Sequence, residues 1–193
     1  MTETAHARDC NDASVIRGGG IGEHAEAHGR YEIECIGADG KLKWRDTIEN
    51  VVTTVGKNLA LDTFLAGSAY TVTGPYMGLI SSVSYSAVSA SDTMASHAGW
   101  LEAGGANAPT YSGTRKTAAW SAAASGSKAL SAALSFAITG SGTVKGAFLV
   151  FGSGAVNTVA STAGTLWSAG TFSAGDKAVV NSDTLNVNYA TSL

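Results

Sequence analysis

Residues 130–151 read LSAALSFAITGSGTVKGAFLVF. In the first half, Leu130, Ala132, Leu134, Phe136 and Ile138 alternate with Ser131, Ala133, Ser135, Ala137 and Thr139. A period of two puts one set on a buried face and the other in water, as a half-buried antiparallel strand requires. From Val144 to Phe151 the alternation gives way to a nearly continuous apolar run, which reads as a central strand. These two segments set a mainly β reading for the chain.

Similar signals lie on both sides. Toward the N-terminus, Tyr31, Ile33 and Cys35 alternate with Glu32 and Glu34, Ala38-Asp39-Gly40 interrupts, and Leu42 and Trp44 alternate with Lys41, Lys43 and Arg45. That is a hairpin pattern, with Asp-Gly supplying the positive φ of a tight turn. A third strand is expected over roughly Thr47 to Val55. Between Lys57 and Ala66 the period changes: Leu61, Phe64 and Leu65 form an i, i+3, i+4 patch and Gly67 is placed to stop a helix. Pro75 to Val83 and Thr165 to Phe172 are further strand candidates, Ser84 to Pro109 reads as loop, and Leu185, Val187 and Tyr189 alternate near the C-terminus. The expected fold is an antiparallel β-sandwich or jelly roll with one short helix and an extended N-terminal arm.

Composition agrees with that class. Of 193 residues, 24 are glycine and only 14% are charged, which suits β layers with many turns better than long helices. The length suits one domain with a substantial core. Charge is uneven, with 16 of the 27 Asp, Glu, Lys and Arg residues in the first 50 positions. Residues 1–29 show no sustained period, and Gly18, Gly19, Gly20 and Gly22 make regular structure there costly. They read as an arm attached to a β domain over 30–193, able to order along a partner's surface.

Several function classes are disfavoured. A net charge of -3 gives no concentrated basic surface for nucleic acid, and no apolar stretch is long enough to span a membrane. The polar start lacks a secretory pattern, so the chain is expected to stay in the cytoplasm of the cell that makes it. Cys10 and Cys35 lie far apart with no CxxC spacing and read as free thiols. His6, His24, Glu26 and His28 carry metal-ligand chemistry, but their setting among glycines favours a solvated or interface role, and no cofactor or metal is expected. His97 near Asp92 and Ser96 invites a triad reading, yet triads are defined by geometry; Asp92 is expected to order a turn and His97 and Trp100 to pack a loop on the sheet. Gly18–Gly22 lacks the Lys-Ser/Thr and the strand–helix setting of a phosphate loop. Arg115-Lys116, the only adjacent basic pair, reads as a structural or interface ion pair. The four tryptophans, Trp44, Trp100, Trp120 and Trp167, read first as core anchors. An enzyme is not expected. The candidate partner-binding residues are Arg8, Arg17, His24, His28 and Arg30, along the arm and its junction with the body.

Certain phrases carry a resemblance. Tyr31-Glu-Ile-Glu-Cys35, Gly40-Lys-Leu-Lys-Trp44, Asn50 to Asn58, Tyr76-Met-Gly-Leu79, Asp92 to Trp100, Lys145-Gly-Ala-Phe-Leu149 and Ser182 to Val187 resemble small virion proteins of tailed bacteriophages. The resemblance spans residues 30–193 and implies a capsid decoration, or cement, protein on the outer surface of the virion. It implies the major capsid protein as partner and self-association as a dimer or trimer. A tail or fibre component, including a receptor- or glycan-binding module, is the alternative.

Overall fold

The computed structural model describes residues 27–65 and 73–192. Among the described residues, twelve strands and one helix follow one another as β1 (His28–Ile36), β2 (Leu42–Glu49), β3 (Val51–Val52), α1 (Thr54–Leu65), β4 (Tyr76–Ser81), β5 (Thr110–Tyr111), β6 (Lys116–Thr117), β7 (Ser127–Ala129), β8 (Leu134–Gly140), β9 (Gly142–Phe151), β10 (Thr165–Thr171), β11 (Lys177–Val179) and β12 (Thr184–Ser192). They form two antiparallel sheets. One has the order β2-β1-β12-β8-β5 with β7 also on β12; the other has the order β3-β10-β9-β4-β6 with β11 also on β9.

The sheets face each other across a core that includes Tyr31, Ile33, Leu185, Val187 and Phe136 from the first and Met77, Leu79, Val144 and Leu149 from the second. Their opposite faces differ, and this explains the two sequence patterns. β1 alternates buried and accessible positions because the far face of its sheet meets water. β4, β9 and β10 are buried in nearly continuous runs because loops cover the far face of theirs. There, Ile80, Phe148, Val150 and Leu166 pack with Met94, Trp100 and Ala155 in a second apolar cluster.

The chain crosses between sheets at both edges. Asn50 alone separates β2 from β3, and four residues separate β5 from β6. The expected strand from Thr47 to Val55 is therefore divided between the end of β2 and the short β3. It stops where buried Thr53 caps α1: its hydroxyl accepts from Gly56 N at 3.1 Å and donates to Leu166 O. The cap also moves the helix start three residues ahead of the expected Lys57, while Gly67 lies outside the described residues.

Other boundaries shift for local reasons. The first strand begins at His28 rather than Tyr31, since His28 and Gly29 pair with Ser192 and Thr191. In β2 the inward series continues to Ile48, but Leu42 is 52% exposed at the hairpin end. Of the strand expected over Leu130–Thr139 only the part from Leu134 is regular, as β8, while β7 precedes Leu130. β7 and β8 both pair with β12, and the chain at 130–133 bulges opposite Asn188 and Tyr189, with Ser131 N turning away to Ala119 O. Ala132 and Ala133 are consequently exposed.

Candidate functional site

Among the described residues, four of the five buried charged side chains, Asp46, Glu102, Arg115 and Asp183, are held in three clamps, and the fifth, Asp92, lies in a loop. Arg115 and Glu102 form a two-point ion pair, Nε to Oε1 at 2.9 Å and Nη2 to Oε2 at 2.8 Å, with both side chains buried. Arg115 also donates to Val156 O and Ser161 O and lies over the Phe148 ring, while Glu102 accepts from Ala160 N. The pair therefore staples loop 153–163 and loop 84–109 to the sheet. Lys43 meets buried Asp183 at 2.6 Å, and Lys177 meets buried Asp46 at 2.8 Å. Burial pushes both carboxylates upward in pKa, but the lysine hydrogen bonds and backbone donors more than offset it and hold both below the ordinary range. Cys35 beside Asp183 is a buried free thiol, raised to about 11 by desolvation and then by the neighbouring carboxylate.

Asp92, His97 and Trp100 are engaged in contacts within their loop. The Asp92 carboxylate accepts from Trp100 Nε1 at 2.9 Å and from Ser89 N at 2.9 Å, ordering the turn. The His97 ring stacks on Trp100 at 3.9 Å with Nδ1 at 3.0 Å from Trp100 O. These groups hold a loop on the sheet. Among the described residues, no three His, Cys, Asp or Glu side chains gather as a ligand set.

The surface carries several further features. At the start of β1, Thr191 Oγ1 donates to His28 O at 2.7 Å, and Arg30 lies between Glu32 at 3.6 Å and Glu49 at 3.7 Å. Shallow depressions surround this point. One is lined by His28, Arg30, Glu49 and Ser127; another runs over the outer face of the first sheet past Glu34, Arg45 and Asn188. Beyond Thr191 and Lys128 opens an apolar cleft of about 360 Å³ walled by Trp120, Phe151, Trp167 and Pro75. Trp167 is held by its Nε1 donating to Tyr189 Oη at 3.0 Å, and Trp120 meets the Tyr189 ring edge-on at 5.9 Å.

The helix supplies the second surface. Gly56, Leu59 and Ala60 face the body, where Gly56 touches the Trp167 backbone. The patch Leu61, Phe64 and Leu65 points outward, with exposures of 57, 72 and 79%. Sequence reading identified the patch and the helix but assigned the patch no binding role. The inward face is instead carried by a glycine, a leucine and an alanine, too weak a signal to reveal which side is buried.

Of the candidate partner-binding residues, His28 and Arg30 stand together at the start of β1, and Arg8, Arg17 and His24 lie outside the described residues. Trp100 and Trp167 are core residues, whereas Trp44 and Trp120 are only partly buried. Arg115 of the basic pair is the buried structural ion pair, and Lys116 lies at the edge with its ammonium on Ser112 O. No family model, curated protein or solved structure matches the chain.

Proposed function

We propose that the chain is a virion structural protein that decorates and stabilises a bacteriophage capsid by binding the shell formed by the major capsid protein. One observation carries this reading beyond the resemblance: the body buries the Arg115–Glu102 pair and the Asp183 carboxylate and offers the apolar ridge Leu61-Phe64-Leu65 outward. An exposed apolar patch of that kind is a protein-contact feature, since water penalises it until a partner covers it. The arm root at His28 and Arg30 supplies a second attachment point, and two tethered contacts raise avidity without a single strong site. The tail or fibre reading is weaker, because the Trp120–Trp167 cleft carries few polar groups with which to hold a sugar.

The test is occupancy on particles. Removing residues 2–26 spares the pairing of His28 and Gly29 with β12. The truncated protein should still unfold cooperatively and occupy fewer shell positions, counted by electron cryomicroscopy. Unchanged occupancy, or a native copy number matching a tail and not a shell, overturns the proposal.

A further inference from the structure

The apolar cleft is an open end of the core between the two sheets. Leu149 and Phe151 reach it along the inward face of β9, and Trp167 joins them from β10. On the facing sheet, Thr191 stands two residues beyond buried Tyr189 on β12, and Lys128 is its cross-strand partner on β7. Alternation along a strand turns both toward the same space. Trp120 and Pro75 add to the walls. The volume of about 360 Å³ lies within the range of about 300–1,000 Å³ in which proteins hold small molecules.

The walls select for an apolar body. Trp167 Nε1 is already committed to Tyr189 Oη, and the Thr191 hydroxyl to His28 O. Aromatic rings on several sides favour a flat ring, which stacks on them or meets them edge-on. The rim selects for negative charge. The Lys128 ammonium carries three donors and spends one on Ser121 O at 3.1 Å; among the described residues it meets no carboxylate.

The opposite end of the sandwich shows what such a lysine holds. Lys177 pairs with Val144 near the start of β9, while Phe151 ends that strand at the cleft. Its ammonium lies 5.9 Å from the centres of the Trp44 and Phe172 rings and meets the buried Asp46 carboxylate at 2.8 Å. Lys128 lines a cleft with aromatic walls of the same kind but has no such carboxylate among the described residues.

We infer that the cleft binds a small aromatic carboxylate, its ring held among Trp120, Phe151 and Trp167 and its anionic end on Lys128. No amino-acid side chain joins an aromatic ring to a carboxylate, so the ligand is a free molecule and not a side chain of a partner protein. The inference concerns the isolated protein and stands apart from the capsid reading.

The experiment titrates the purified full chain with naphthoate and with its neutral analogue naphthamide, read by calorimetry and by quenching of tryptophan emission. Naphthoate should bind at one site per chain. It should bind about tenfold more tightly than naphthamide, the order expected of one hydrogen bond to a charged group. Lys128→Gln removes the charge and keeps most of the stem, so it should abolish that preference and leave naphthamide binding as it is. Trp120→Leu should weaken both probes alike. An absence of saturable naphthoate binding overturns the inference, as does equal affinity of the parent chain for the two probes. A naphthoate preference that survives in Lys128→Gln, or undiminished binding by Trp120→Leu, overturns the assignment to this cleft.

Discussion

Arg115 and Glu102 form a buried, two-point ion pair between loop segments that have no strand pairing to each other. Their geometry satisfies both charges: three carbonyl or carboxylate partners surround the guanidinium, and Ala160 N closes the carboxylate. Removing one partner leaves the other charged and dry, which typically costs about 3–5 kcal/mol. Arg115→Met should therefore lower the free energy of unfolding by that order in urea titration. The amides of residues 153–163 should gain hydrogen exchange before the rest of the body.

Gly56 sets the distance between α1 and β10. A Cβ there would meet Trp167 O at 2.7 Å and Trp167 Cα at 3.0 Å, both backbone atoms that cannot rotate away. Helix propensity favours alanine over glycine by about 1 kcal/mol, so an unobstructed helix would gain from the change. Here the clash wins. Gly56→Ala should destabilise the protein by about 1–3 kcal/mol, the usual cost of overpacking, and calorimetry should show a lower Tm.

The dependence on pH has two limbs. Asp46 and Asp183 titrate in the folded protein below the unfolded carboxylate value of about 3.9, so their contribution is present above that pH and is lost as pH falls through their folded values. Lys43→Met should weaken the acid limb by removing the partner that holds Asp183 ionised. Cys35 is raised from its ordinary value of 9.0 to about 11, so the stability tied to its protonated thiol is intact below pH 9 and falls as pH rises through 11. Native Cys35 should resist alkylation at neutral pH and react on unfolding, measured by mass spectrometry of the labelled peptide.

The outward ridge of α1 separates stability from association. Phe64→Ser and Leu65→Lys alter side chains that are 72 and 79% exposed, and such surface changes usually shift stability by less than about 0.5 kcal/mol. The variants should melt with the parent protein and bind capsids less well in a sedimentation assay. A matched variant at exposed Asp62, about 100° around the same helix from Leu61, should leave both properties unchanged.

Much of the fold was legible because burial writes itself into periodicity. Tyr31-Ile33-Cys35 and Leu185-Val187-Tyr189 alternate since their shared sheet has one dry face, and Val144–Phe151 runs apolar since its sheet has two. The hairpin turn was equally local: Gly40 takes a φ of 75° and donates its N–H to Gly37 O. Alternation alone could not show the break at 130–133, because the bulge arises from two strands sharing one partner, β12.

The sequence by itself determined the β character of the body, its hairpin, its helix and the polar segment before His28, all of which depend on neighbours a few residues apart. Tertiary structure alone decided that Arg115 is sealed against Glu102 and that Leu61, Phe64 and Leu65 face water. It also decided that Trp120 and Trp167 wall a cleft next to the first strand. Those facts depend on which distant segments meet, and a periodic pattern specifies a face without specifying what covers it.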